Sequence, residues 1–478
     1  MRSKWLSVVV FGLCLSFAQS ASAADVPVKA PILKAPPPAA INWTGLYVNG
    51  GFGYGLWAAD TTTQDPTTGL CRLCFTQRQG GKGWLGVIGV GYDFQFAPRF
   101  LVGAFGDFNL SSLKGTIQDQ DPYYAGDIKQ QWSWAVGGRL GYLITEQLLA
   151  YINGGYTSAH FSNADMVTTF VGAPTTYSTP AFTAHGWFVG GGTESAFALF
   201  GPGWFWRNEY RYAQYDNETL PDTSNAGFGA ARSINFKPTV QTITTQLVYK
   251  LNTGGPTYPP VVPVAPVNWN GIYVNGGFGY GLWAADTTTE SSTTGVCRLC
   301  FTQTQGGKGW LGVVGLGFDH QIMPAVIVGV FGDVDISDLN GTIQDQDPYF
   351  AADIKQKWAW AVGGRAGWLI TPQVLTYGNV GYTQARFSGT NMVTTFVGAS
   401  TSYSTPETTF HGWFIGSGVE AAIMPNLFWR TEYRLAKYDN ESLPDTSATS
   451  AFLESNINFK PTVQTVTTQL VYKFNWPR

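Results

Sequence analysis

The sequence predicts an all-β protein of transmembrane antiparallel β-barrels, as two tandem eight-stranded barrels, with one sixteen-stranded barrel as the alternative. Three observations carry this. The first is a repeat: Asn42-Trp43-Thr44-Gly45-Leu46-Tyr47-Val48 returns as Asn268-Trp269-Asn270-Gly271-Ile272-Tyr273-Val274. The register holds at an offset of 226 through Trp187/Trp413 and at 223 thereafter, so that Tyr249 corresponds to Tyr472. A period of this size is a domain-sized duplication, outside the ~20–50 residues of solenoids and propellers. The second is a period of two. From 44 to 57, Leu46, Val48, Phe52, Tyr54 and Leu56 share one side, opposite Tyr47, Asn49, Gly51, Gly53 and Gly55, as in a strand with one apolar and one polar or small face. The third is composition: 15% aromatic and only 12% charged residues with 58 glycines, half the ~25% charge of an ordinary soluble chain.

At the N-terminus, Arg2 and Lys4 precede an apolar stretch from Trp5 to Ala18, and Ala21-Ser22-Ala23 follows with the small residues that signal cleavage needs. Residues 1–23 are therefore expected to be a secretory signal peptide, and 24–41 a Pro-rich periplasmic leader. Leu13 is too bulky to precede a lipidated Cys14. Beyond the signal no run of ~18 apolar residues occurs, which excludes helical membrane spans. Without the signal the formal charge moves from -3 to -5 through loss of Arg2 and Lys4, which argues against nucleic-acid binding.

The alternation test places eight strands in the first copy, near 44–57, 84–95, 100–113, 131–144, 147–161, 185–198, 204–215 and 239–251. Each exceeds the ~9–11 residues that cross a bilayer when tilted. Long loops near 58–83, 114–130, 162–184 and 216–238 alternate with short turns at Ala97-Pro98, Thr145-Glu146 and Gly201-Pro202-Gly203. That asymmetry belongs to outer-membrane barrels, with short turns on the periplasmic side and long loops outside. Soluble sandwiches would show polar outer faces instead. Residues 252–267 are Pro-rich, a stiff spacer of ~3.1 Å per residue between a first barrel over 42–251 and a second over 268–478. The choice between two barrels and one decides function, because eight strands enclose an interior just filled by side chains, whereas sixteen leave an aqueous channel.

The inward faces carry charge. Arg207, Glu209 and Arg211 alternate along one strand, and Asp107, Arg139 and Glu194 lie on inner faces nearby; Arg430, Glu432, Arg434, Asp333, Arg365 and Glu420 repeat the set. Three acids against three bases suit a self-neutralising plug, where a selective pore constriction more often carries one sign in excess. The expected role is a non-catalytic structural or surface-display barrel with plugged interiors; the alternatives are a sixteen-stranded general-diffusion porin for small hydrophilic solutes, and haem or ligand binding by the loops.

Cys71-Arg72-Leu73-Cys74 and Cys297-Arg298-Leu299-Cys300 fall in the first long loop of each copy. Exported thiols meet an oxidising periplasm, so one local disulfide per loop is expected rather than a metal site. Asp119-Gln120-Asp121-Pro122 and Asp345-Gln346-Asp347-Pro348 lack the rest of a calcium loop and read as solvated turns. No Gly-x-Ser-x-Gly elbow or Ser/His pairing stands out, so no catalytic residue, cofactor or metal site is assigned.

Trp43-Thr44-Gly45-Leu46-Tyr47-Val48, Gly53-Tyr54-Gly55, Gly83-Trp84-Leu85-Gly86 and the closing Leu470-Val471-Tyr472-Lys473-Phe474 resemble the small outer-membrane β-barrel proteins of alphaproteobacteria, a family similar to the eight-stranded OmpA-like barrel. The resemblance covers each copy end to end. It implies an abundant surface-exposed barrel of structural or weak-pore role in a Gram-negative outer membrane, in contact with outer-membrane lipid and lipopolysaccharide. Some relatives bind haem; His185 and His411 correspond, while His160 and His320 have no counterpart, and all four read as rim residues. Tyr472 and Phe474 match the terminal signal read by the barrel assembly machinery, here displaced by Asn475-Trp476-Pro477-Arg478, and Leu251 stands where copy two has Phe474.

Overall fold

The computed structural model describes residues 41–119, 124–168, 176–197, 201–224, 230–252, 267–345, 350–394, 402–447 and 453–475. Residues 1–40, on which the expected signal peptide and all but the last residue of the expected leader fall, and residues 253–266 of the expected linker lie outside them. The first copy comprises β1 (Gly45–Gln64), β2 (Cys71–Ala97), β3 (Phe100–Asp119), β4 (Tyr124–Thr145), β5 (Leu148–Phe161), β6 (Ala164–Thr168), β7 (Thr176–Thr179), β8 (Phe182–Ala196), β9 (Trp204–Tyr215), β10 (Glu218–Ser224) and β11 (Ala230–Asn252). The second repeats them as β12 (Gly271–Ser291), β13 (Cys297–Met323), β14 (Val326–Asp345), β15 (Phe350–Thr371), β16 (Val374–Phe387), β17 (Thr390–Thr394), β18 (Ser402–Thr405), β19 (Thr408–Met424), β20 (Leu427–Tyr438), β21 (Glu441–Ser447) and β22 (Leu453–Asn475).

The antiparallel ladder runs β1-β2-β3-β4-β5-β8-β9-β11 and returns to β1, whose pairing with β11 extends from Gly45↔Asn252 to Gln64↔Ser233. The second copy closes in the same way through β12 and β22, from Gly271↔Asn475 to Ser291↔Ser455. Each set of eight strands is therefore a ring of its own. The strands that a single sixteen-stranded ring would join, β11 and β12, share no ladder among the described residues.

Much of what the alternation test assigns to long loops is strand. The tip between β1 and β2 spans only 65–70, and β6, β7 and β10 continue the wall by pairing β4 with β6, β6 with β7, β7 with β10 and β10 with β11. The physical reason is an inversion of polarity at constant phase. Along β1 the odd residues face inward throughout, but above the membrane they become Trp57, Ala59, Thr61 and Thr63, all buried, while Asp60, Thr62 and Gln64 face out. Outside the bilayer water sits on the outer face, so the apolar side turns inward; a test tuned to outward apolar residues stops at that boundary.

The lipid-facing band is marked by aromatic rings at both edges. Phe96, Phe100 and Tyr142 pack together at the periplasmic edge, and Tyr54 meets Trp84 edge-on at the outer edge. From Trp84 to Phe94 on β2 the chain rises ~33 Å, or ~25 Å along the normal at a ~40° tilt, which matches the apolar height of such barrels.

The copies meet through contacts that repeat across the duplication. Gln79 of β2 pairs with Gln305 of β13, its own counterpart. The Arg78 amide donates to Thr342 Oγ1 and the Thr304 amide to Thr116 Oγ1, both at 2.9 Å. Lys82 reaches Asp286 at 2.9 Å and Lys308 reaches Asp60 at 3.0 Å. Each contact thus has its mirror, and the two barrels pack as a pseudo-symmetric pair.

Candidate functional site

The barrel interior is the chemically distinctive region, and it is stratified. At the periplasmic end Trp43, just before β1, turns under the barrel, donating from Nε1 to the Glu146 carbonyl at 3.0 Å and packing with Leu101, Leu143, Leu149, Phe205 and Val248. Above it lies an ion cluster. Arg139 Nε donates to Asp93 Oδ1 at 2.8 Å, with a second bond from Nη2 to Oδ2, and its Nη1 donates to Glu194 Oε2 at 3.1 Å. Arg207 reaches the same Glu194 oxygen at 2.7 Å, and Lys250 reaches Asp93 at 2.6 Å and Glu194 at 3.0 Å. The Tyr47 ring lies 4.7 Å from each of the Arg139 and Arg207 guanidinium carbons, a geometry in which the ring face offsets cationic charge. The Trp-x-Gly-x-Tyr opening therefore supplies both the lower lid and an aromatic spacer inside the cluster.

One layer higher, Arg211 makes a two-pronged pair with Asp107 at 2.9 and 2.7 Å and bonds Glu209 at 2.7 Å. Glu209 also accepts from Tyr151 Oη at 2.7 Å and Asn153 Nδ2 at 2.9 Å. Above the ions sits an aromatic cap of Trp57, Phe161, Phe236, Ile117, Ile128 and Met166. The Trp57 indole lies against the bare backbones of Gly81 and Gly115, where an added Cβ would come within 2.2 and 2.4 Å of the ring, and its Nε1 donates to the Leu113 carbonyl at 3.3 Å.

All six charged residues named from the sequence in copy one lie in these two layers, and Asp333, Arg365, Glu420, Arg430, Glu432 and Arg434 make the matching contacts in copy two. Two members were missed: Asp93 and Lys250, with Asp319 and Lys473 as their counterparts, paired at 2.6 Å in each copy. The signal was present, since Asp93 sits between outward Tyr92 and Phe94, and Lys250 between Tyr249 and Leu251. They add one acid and one base, leaving copy one at four of each. Copy two carries a further inward carboxyl, Asp335, where copy one has Asn109.

The remaining candidates sit elsewhere. Cys71 and Cys297 begin β2 and β13; the side chains of 71–74 and 297–300 lie outside the described residues. Asp119 ends β3 and accepts from Arg232 at 2.7 Å, buried in the cap rather than in a solvated turn, while Asp121 lies outside the described residues. His185 and His411 contact Tyr156 and Tyr382 hydroxyls at 2.6 Å, and His160 stacks on Trp132. Tyr472 and Phe474 lie on the lipid-facing side of β22 with ring centroids 5.1 Å apart.

Residues 28–233 and 260–474 each match the outer membrane protein beta-barrel domain. The chain belongs to that family. Among curated relatives, the 31 kDa outer-membrane immunogenic proteins of Brucella melitensis and Brucella suis are each 30% identical over 228 residues, covering 46% of this chain and 91% of theirs. Among solved structures, the toluene transporter TodX of Pseudomonas putida is 7% identical at a TM-score of 0.25, covering 90% of each chain. The attachment invasion locus protein Ail of Yersinia pestis is 15% identical at 0.21, covering 43% of this chain and 99% of its own. Family membership and the Brucella relatives place this barrel protein in the outer membrane of a Gram-negative bacterium.

Proposed function

We propose that this family member is a non-catalytic outer-membrane anchor and display protein whose two barrels are closed to solutes. The observation that carries the reading is the filled interior. Four acids and four bases are cross-paired between a Trp43 lid and a Trp57 cap in copy one. The interior spaces beside them measure about 30 and 10 Å³, against the ~10–15 Å³ that a single water requires on the same measure. A buried pair of opposite charges also resists opening, because separating it leaves an uncompensated charge in a low-dielectric interior. The polar wall extensions would then carry the exposed tips clear of the membrane. The Pro-rich segment over 252–267 serves as a periplasmic spacer, and Tyr472 and Phe474 as the lipid-facing end that the assembly machinery engages.

Single-channel recording of the refolded mature protein tests this. Flat traces with only brief, small openings are expected. Stable nanosiemens steps would instead return the diffusion-porin reading.

A further inference from the structure

We infer that the two barrels hold a glycerophospholipid between them, with an acyl chain in an inter-barrel crevice in the periplasmic half of the membrane and the phosphate at Arg99. The crevice has a volume of about 540 Å³ and is walled by the outward faces of both copies, including Leu140, Ile152 and Tyr210 from the first and Val419, Trp429 and Tyr433 from the second. It is stopped at both ends. Toward the outer surface Leu56, Ala58, Leu282 and Ala284 pack across the interface, and toward the periplasm Leu148, Val374 and Ala421 do so. Its depth follows from the strands: Phe100 opens β3 at the periplasmic edge and Tyr210 lies half-way along β9.

The lining is predominantly apolar; several of its polar side chains are engaged by protein, while the buried Tyr433 hydroxyl finds no hydrogen-bond partner among the described residues. Trp429 Nε1 donates to Thr468 Oγ1 at 2.8 Å, and Asn208 Oδ1 accepts from Trp206 Nε1 at 3.3 Å. At this depth the surrounding solvent is hydrocarbon, and apolar walls without partner atoms forfeit their dispersion contacts, so a flexible hydrocarbon chain is the occupant that the lining suits. Charge selects the lipid class. Arg99, in the turn before Phe100, is half-exposed and donates from Nη1 to the Tyr142 hydroxyl at 3.0 Å; Phe100 and Tyr142 both line the crevice. A guanidinium at the periplasmic rim complements a phosphate diester. The counterpart in copy two is Ala325, so the headgroup site lies on one side only and breaks the pseudo-symmetry of the pair.

The test uses the full mature protein in liposomes doped with a phosphatidylglycerol carrying a diazirine on its acyl chain, followed by mass-spectrometric mapping of the adducts. Adducts are expected to concentrate on peptides containing Ile152, Tyr210, Trp429 and Tyr433 and to be competed by unlabelled phosphatidylglycerol. Filling the crevice with Ala150→Trp and Ser417→Trp should lower their yield by about tenfold, since several buried methylenes lose their place; Arg99→Glu should lower it while leaving the heat-modifiable mobility of the folded protein unchanged. Adducts spread evenly over the lipid-facing belt, or a yield unmoved by crevice filling, would overturn the inference, as would competition by lipid A but not by phosphatidylglycerol. If the filled variant does not fold, the wild-type adduct map alone decides.

Discussion

Replacing Glu194 by Gln removes the hub of the first barrel's ion cluster without changing its shape. Its Oε2 accepts from Arg139 at 3.1 Å and from Arg207 at 2.7 Å, its Oε1 lies 3.0 Å from Lys250, and the carboxylate is fully buried. Without it three buried cations face Asp93 alone. Breaking a buried pair by removing one partner costs ~3–5 kcal/mol, which is about a hundred- to several-thousand-fold in the folding equilibrium. Urea titration of the protein in detergent, followed by tryptophan fluorescence and by gel mobility of unheated samples, reads the loss. Because each barrel closes on itself, only one of two transitions should move, and Glu420→Gln should move the other. Adding Arg207→Met to Glu194→Gln should recover part of the loss, since it removes one uncompensated charge. A loss near the ~0–1 kcal/mol of an exposed pair, or equal movement of both transitions, would refute the closed, cross-paired interior.

Three further outcomes are expected. In the extracellular cap, burial and the neighbouring Asp119 carboxylate push the Asp222 carboxyl up to about 9. A raised carboxyl binds its proton more tightly when folded, so its contribution is full below pH ~4 and is lost as pH rises toward 9; Asp222→Asn should flatten that decline in denaturant midpoints measured from pH 4 to 9. Reversing Lys82→Glu together with Lys308→Glu sets like charges against Asp286 and Asp60. Amide hydrogen exchange around Gln79 and Gln305 should then quicken, and adding Asp60→Lys and Asp286→Lys should restore it; unchanged exchange would count against the inter-copy contacts. Counting thiols in the denatured, unreduced mature protein should find none at Cys71, Cys74, Cys297 and Cys300, whereas four free groups would exclude the loop disulfides.

How much could be read in advance differs by layer. In the membrane-spanning part the outer face of each strand meets hydrocarbon, so Leu46, Val48 and Phe52 alternate visibly with Tyr47, Asn49 and Gly51, and the same parity exposes Arg139, Glu194 and Arg207 as inward. Asp93 and Lys250 obey that parity too, each flanked by outward residues near the periplasmic end of its strand, but lie outside the Arg-Glu-Arg spacing that drew attention to β9. The cap escaped because Thr61, Thr63 and Trp57 face inward where water replaces lipid outside, and a polar outer face reads as loop. The pairings of β4 with β6 and of β7 with β10 join segments far apart in sequence, Tyr124 with Thr168 and Ser178 with Thr223, and nothing local specifies them.

The sequence by itself determined the duplication, the lipid-crossing phase of each strand and most of the charge placed inside, because these follow from a two-residue period and from the identity of the solvent on each face. Only the tertiary structure decided that each set of eight strands closes on itself, that Trp43 and Trp57 lie on either side of the ion layers, and that Arg139 and Lys250 reach the same two carboxylates. Ring closure is a pairing between the first and last strands of a copy, and the ion cluster gathers side chains from five strands. Both depend on barrel curvature and stagger, which exist only once the whole sheet has formed.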